Sequence, residues 1–140
     1  MQRRKHTKQM TPSERDVIRK AIQSLDPSTL STFNRYVEHR IAQRRLTRED
    51  ILHAVRDGDI IEAHNNKKKD IRILLRHQTS RGFSVCAVVS LREGSVITAY
   101  RNYDDDHHYT IDWDEYKWKA NLVSEVKRFM YRRYRGAIRF

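Results

Sequence analysis

Two pairs of arginines give this sequence its most legible chemistry. Residues 70–77 form a run in which Ile71, Ile73 and Leu75 alternate with Arg72, Leu74 and Arg76. On a half-buried strand, alternate side chains share a face, so Arg72 and Arg76 project together. Arg40 and Arg44 lie four residues apart in a segment whose Leu30, Phe33, Val37 and Ile41 recur at helical spacing, which stacks the two arginines one turn apart. A guanidinium presents a planar fork of N–H donors that grips two phosphate oxygens at once, a geometry lysine cannot copy. Metal-free cleavage of RNA asks for a base to activate the 2′-OH, a cation to hold the phosphate and an acid for the leaving oxygen. Tyr36, His39 and Tyr100 have the right side chains to join Arg40, Arg44, Arg72 and Arg76 in a candidate catalytic set, with His77 and His64 in reserve. The same arginines would equally serve as solvated or ion-paired surface groups, Arg40 and Arg44 toward Glu38.

A second constellation is electrostatic. The stretch Lys127-Arg128-Phe129-Met130-Tyr131-Arg132-Arg133-Tyr134-Arg135 interleaves bases with aromatics. Such a segment neutralises phosphates while a tyrosine stacks on an unpaired base. It would also suit an amphipathic helix end, with Phe129 and Met130 in the core and the arginines favouring the negative helix terminus. Lys67, Lys68, Lys69, Arg101, Lys127, Arg128, Tyr131, Arg132, Arg133 and Arg135 are the candidate nucleic-acid contacts.

Other chemistries find less support. His107 and His108 follow three aspartates and are competent metal ligands, yet their spacing matches no recognised metal motif. The composition there suits a solvated loop, or an acidic cover lying over a basic groove. Neither a Walker loop nor a dinucleotide fingerprint occurs, and Cys86 sits in an apolar run with no nucleophile elbow around it. No metal and no cofactor is expected.

Charge narrows the partners. Among 140 residues, 29 bases face 18 acids, a net +11 with neutral histidines. The excess is blocked rather than mixed. Residues 1–20 hold seven bases and two acids, residues 67–81 six and one, and residues 127–140 six and none, whereas residues 104–115 hold six acids and no Lys or Arg. Unmixed blocks mark interaction surfaces, and a basic surface seeks a polyanion. RNA is the first expected partner and DNA the second, with a host or antitoxin protein as the further alternative. No apolar stretch approaches the ~20 residues that span a bilayer, so no membrane partner is expected. A single cysteine excludes an intramolecular disulfide and suits a reducing, cytoplasmic setting.

The elements that must position these residues follow from local signals. Residues 1–10 are polar without apolar period and read as a flexible basic arm. Thr11-Pro12-Ser13-Glu14 combines an N-cap, a proline at the first helical position and a capping-box glutamate. Asp26-Pro27 starts a second helix, predicted to run on through Val37 and Ile41. Thr47 caps a third, which Gly58 would end in a left-handed conformation. Turn residues around 80–82 and 92–94 divide three β-rich runs at 70–77, 83–91 and 95–102 into an antiparallel meander. A loop over 104–112 leads to a long closing helix that includes Tyr116, Leu122, Val126 and Met130. The expectation is a single α+β domain over 11–135, with N-terminal helices, a small antiparallel sheet and a C-terminal helix, and a tail at 136–140.

The segment from Tyr36 to Ile51, followed by Asp57-Gly58-Asp59-Ile60-Ile61-Glu62, resembles small domains of unknown function allied to the RelE and RegB ribonuclease toxins. In those domains a histidine begins a helix, arginines follow at four-residue steps, an Ile-Ser or Ile-Thr pair caps the next helix and a glycine ends it. The strands containing Arg72, Val85 to Ser90, and Val96 to Arg101 are similar to the family's sheet, so the resemblance covers about residues 30–102. It implies a RelE-like fold and a metal-independent endoribonuclease working through arginine, lysine and tyrosine. With Leu46-Thr47 on the Ile-Ser position, Arg40 and Arg44 fall on the arginine positions, Tyr36 stands where the histidine belongs, and His39 lies one turn on. Two alternatives therefore accompany the nuclease: a non-catalytic nucleic-acid-binding module on the same fold, and a phage-type regulator that inhibits a host protein.

Overall fold

Strands paired in chain order build an antiparallel five-stranded sheet, and the helices cover one side of it. The computed structural model describes residues 3–65, 69–103 and 113–134. Strand β1 (Arg3–His6) is followed by helices α1 (Pro12–Gln23), α2 (Pro27–Ser31), α3 (Arg35–Arg44) and α4 (Arg48–Asp57). Strands β2 (Asp59–Asn65), β3 (Ile71–Gln78), β4 (Phe83–Ser90) and β5 (Ser95–Tyr103) come next, and α5 (Leu122–Tyr134) closes the chain. Each strand pairs antiparallel with the next, in the order β1-β2-β3-β4-β5. This is the expected α+β class.

The alternation read from β3 sets the two sides. Ile73 and Leu75 are fully buried and pair with Val89 and Ala87 of β4, which are buried too. Helix α4 lies across β3 and β4, α2 and α3 meet β5, and α5 packs on α1. Val17, Ile18, Val37, Ile51, Val55, Leu122, Val126 and Met130 complete the core from the helical side.

Several local expectations change. Residues 3–6 are strand rather than arm. Lys5 pairs with Ala63 of β2 and turns inward, where its Nζ donates to Glu14 Oε2 at 2.6 Å and to the carbonyl of Ala120 at 3.1 Å. The arm failed as a description because one inward lysine, not an apolar residue, anchors this strand. The helix predicted from Pro27 onward breaks at residues 32–34, where Asn34 re-caps α3 by accepting from the Val37 amide. Arg45 ends α3 in the left-handed region at φ 53°. Gly58 is extended at φ −70°, not left-handed; a Cβ there would lie 2.3 Å from the Ala54 carbonyl oxygen, so glycine is required by close packing. Tyr116 precedes α5 instead of joining it.

The start of α5 is held from elsewhere. Glu14 Oε2 also accepts from the Leu122 amide at 2.9 Å, and Glu14 Oε1 closes the α1 capping box with the Thr11 amide at 2.9 Å. Burial alone would raise this carboxyl, but the Lys5 ammonium and the Thr11 and Leu122 amides hold it below the ordinary carboxylate range.

Candidate functional site

The sheet's second side carries polar and ionisable groups where the first carries Ile, Leu and Val. Register fixes their neighbours. Arg76, Cys86 and Tyr100 form one row across β3, β4 and β5. His6, Glu62, Leu74, Val88 and Thr98 form the next, and Arg4, His64, Arg72 and Ser90 the one beyond. Adjacent strands lie ~4.8 Å apart, so each row is a ladder of touching side chains. Arg72, Arg76, Glu62, His64 and Tyr100 are half-buried, and Cys86 and Ser90 are buried.

Two buried atoms on this side stand out among the described residues. Glu62 Oε2 and His64 Nε2 are buried without a hydrogen bond. Glu62 has Arg4 Nε at 3.8 Å, too far for a hydrogen bond, and Arg4 also faces Glu115 at 3.6 Å. Burial pushes the Glu62 carboxyl up, against the pull of Arg4 and with the push of Glu115. His64 moves the other way: burial lowers it, and Arg4 and Arg72 lower it further. A carboxyl displaced toward its acid form beside an imidazole displaced toward its neutral form is an arrangement suited to paired proton transfer.

Around this pair the cations are held in different ways. Arg72 Nε donates to Asp70 Oδ2 at 3.2 Å, which fixes its stem. Among the described residues Arg76 makes no ion pair, and its charge bears on Cys86. Arg44 reaches from the end of α3 to β5, donating from Nη1 to the Ala99 carbonyl at 2.8 Å. There it lines a cleft of about 750 Å³ with Gln43, Arg45, Thr98, Tyr100 and Arg101. The Tyr100 phenol is held far above its ordinary range by burial, by Cys86 and by Glu62, so it remains a hydroxyl donor at any physiological pH.

The structure thus brings Arg72, Arg76 and Tyr100 to one side of the sheet, with Arg44 at the β5 edge beside Tyr100. Tyr36 and His39 are exposed on α3 and Arg40 half-buried there, and the three do not line the Arg44–Tyr100 cleft. Arg40 Nε donates to the Tyr36 hydroxyl at 3.1 Å and stacks over its ring, so these two satisfy each other. Strand alternation also separates the two reserve histidines. His64 faces the polar side, whereas His77, paired with Val85, stacks on His53 of α4 with ring centroids 3.9 Å apart. Arg101 borders the cleft, its guanidinium over the Phe83 ring and its Nη2 on the Arg45 carbonyl.

Glu62 and Arg4 were absent from the candidate set drawn from sequence. A register shift between Ile60 and Glu62 interrupts the alternation of β2, leaving Ile60-Ile61 as consecutive apolar residues and hiding the shared face of Glu62 and His64. The pair's separation by two residues was the available signal.

Of the basic candidates, Lys69, Arg128, Arg132 and Arg133 meet in a separate cleft beside α5. Tyr131 is 68% exposed, and Lys127 lies in a smaller groove against α1. Lys67, Lys68 and Arg135 lie outside the described residues, as do His107, His108 and the proposed acidic cover over 104–112. No described helix is long and apolar enough to cross a membrane.

The segment running from α3 through the meander into β5 therefore holds Arg44, Arg72, Arg76 and Tyr100 in one frame. Over residues 36–101 the chain is similar to a domain of unknown function, DUF4258. The DUF4258 match includes Glu62 and His64, and omits β1, which supplies Arg4, and α5, which supplies one wall of the basic cleft. No curated protein and no solved structure matches the chain.

Proposed function

We propose that the protein binds RNA on the polar side of its sheet and cleaves it without a metal, as a cytoplasmic RelE-like endoribonuclease. The observation that carries this is the row structure: Arg72, Arg76 and Tyr100 share one side with Glu62 and His64, whose Oε2 and Nε2 are buried without a hydrogen bond among the described residues. Leaving buried polar atoms unpaired costs on the order of 1–3 kcal/mol each, a cost tolerated where a ligand supplies the missing bond. The resemblance to RelE and RegB toxins supports the same choice of substrate.

The chemistry follows from protonation states. Neutral His64 accepts the proton of a 2′-OH at Nε2, and the 2′-oxygen attacks the adjacent phosphorus. The phosphorus–O5′ bond breaks as Glu62, in its acid form, protonates the leaving O5′, giving a 2′,3′-cyclic phosphate and a 5′-hydroxyl. Arg72 and Arg76 neutralise the phosphoryl oxygens as charge builds, the Tyr100 hydroxyl donates to one of them, and Arg44 at the β5 edge takes a neighbouring phosphate.

The test is incubation of an unstructured RNA with the purified protein in EDTA, beside the same oligomer with 2′-deoxy sugars. Cleavage confined to the 2′-hydroxyl substrate, and lost in Arg76→Ala and His64→Ala while both variants stay folded, is expected. Intact RNA under conditions of demonstrated binding would refute catalysis and leave the non-catalytic binding module. That alternative has its own support: Tyr36, at the position where the resemblance calls for histidine, lies outside the site and is engaged by Arg40.

A further inference from the structure

The cleft beside α5 is the strongest feature that the polar side of the sheet does not use. It has a volume of about 500 Å³, within the range of roughly 300–1,000 Å³ typical of ligand sites. Lys69, Arg92, Arg128, Arg132 and Arg133 line it, with Glu125 as the acid among its walls and Ile71 and Phe129 as apolar floor. Arg128 and Arg132 are one turn apart on α5, so both present to the same opening.

Two features hold this shape in advance of any ligand. Arg133 Nε donates to the Arg92 carbonyl at 2.8 Å and the Tyr134 hydroxyl to the Leu91 carbonyl at 2.7 Å, pinning the end of α5 to the β4–β5 turn. Lys69 adopts a left-handed conformation at φ 56°, a cost for a residue with a Cβ, and this strain falls on a position that carries charge into the cleft. Asp70 is 3% exposed and accepts from Ser90 Oγ at 2.7 Å, the Arg92 amide at 3.0 Å and Arg72 Nε at 3.2 Å. Because it holds Arg72 on the polar side and the Arg92 backbone at the cleft, Asp70 joins the two regions through one carboxylate.

We infer that this cleft is a second RNA subsite, in which Lys69, Arg128 and Arg132 take backbone phosphates of a single strand and Phe129 stacks against one unpaired base. The inference rests on the proposal that RNA is the ligand and adds where the strand lies beyond the reacting phosphate. A single strand is favoured because the floor offers one aromatic ring between cations, the pattern that binds splayed bases. An acidic protein segment would use the cations and leave the ring idle.

The experiment is fluorescence anisotropy of a labelled, unstructured RNA 12-mer across a salt series. It compares the wild-type protein, the charge-reversed Lys69→Glu/Arg128→Glu/Arg132→Glu variant, Phe129→Leu and Arg76→Ala, each checked for fold by thermal melting. Phe129→Leu keeps the apolar contact of a partly buried side chain and removes the π face. For the triple variant the slope of log affinity on log salt should flatten by about 2, three phosphates at ~0.7 each for a single strand. Phe129→Leu should weaken binding about tenfold with the slope unchanged, as stacking worth ~1–3 kcal/mol requires. Wild-type affinity and slope in the triple variant, with Arg76→Ala impaired, would overturn the subsite and leave the RNA proposal standing. Absence of RNA binding by the wild-type protein would overturn both. A flattened slope with Phe129→Leu unaffected, and RNA displaced by poly-glutamate at equal charge, would overturn the base contact and make an acidic protein the occupant.

Discussion

The molecule buries charge in two places and treats it oppositely. Lys5 and Glu14 lie 2.6 Å apart on the helix-covered side, and every carboxylate oxygen of Glu14 has a donor. Glu62 and His64 lie on the other side, each with a buried atom that makes no hydrogen bond among the described residues. A buried pair with all bonds made is a structural joint, whereas buried groups left short of partners hold bonding capacity for something else. The contrast separates architecture from site more sharply than exposure does, since all four side chains are largely out of water.

The largest effect should come from breaking the joint. Glu14→Ala strands the Lys5 ammonium in the interior and is expected to cost about 3–5 kcal/mol in urea denaturation at neutral pH. Because the folded Glu14 titrates below its ordinary value of 4.5, its contribution is present above that value and is lost as pH falls through the folded pKa. A Glu14→Ala protein as stable as wild type would erase the contrast.

Next, neighbouring positions of β3 should respond in different currencies. Leu75→Ala opens a cavity under α4 and should lose about 2–5 kcal/mol of stability. Arg76→Ala, facing the opposite way, should change stability by no more than ~0.5 kcal/mol while slowing RNA cleavage about 100-fold.

Glu62→Gln sharpens the comparison further, because its sign is reversed. The folded carboxyl titrates above 4.5, so its charged form opposes folding, and the protein gains stability from this group as pH falls through the folded value. The glutamine variant should therefore be equal to wild type or up to ~1 kcal/mol more stable at pH 7, and inactive. His64, lowered from 6.5, loses stability as pH falls below that value. The pH–rate profile should be a bell, its acid limb set by His64, which titrates below its ordinary value, and its alkaline limb by Glu62, which titrates above its own. The smallest effect is expected for Tyr36→Phe, which removes an exposed hydroxyl bound to Arg40 and should alter cleavage less than about twofold. A large loss there, read in the same assay, would extend the site onto the outer face of α3.

Much of this could be read from the chain because β3 alternates cleanly. Ile71, Ile73 and Leu75 announced the core side, and Arg72 and Arg76 the other. The helix starts at Thr11, Asp26 and Thr47 were legible for the same reason: capping is a local transaction between a side chain and amides two or three residues away. What escaped depends on distant pairing. Strand β1 is recognisable only opposite β2, and the role of Glu62 only once the register shift beside Ile61 is known. Arg40 and Arg44 looked equivalent, yet the length of α3 delivers Arg44 alone to β5.

The joint at Glu14 also bears on the order in which the chain can become itself. Its donors come from Lys5, Thr11 and Leu122, so the carboxylate stays short of one bond until a residue 108 positions away is in place. Without that contact β1 and α5 have no common keystone. Closure is a long-range event in this molecule, and the cleft beside α5 depends on it.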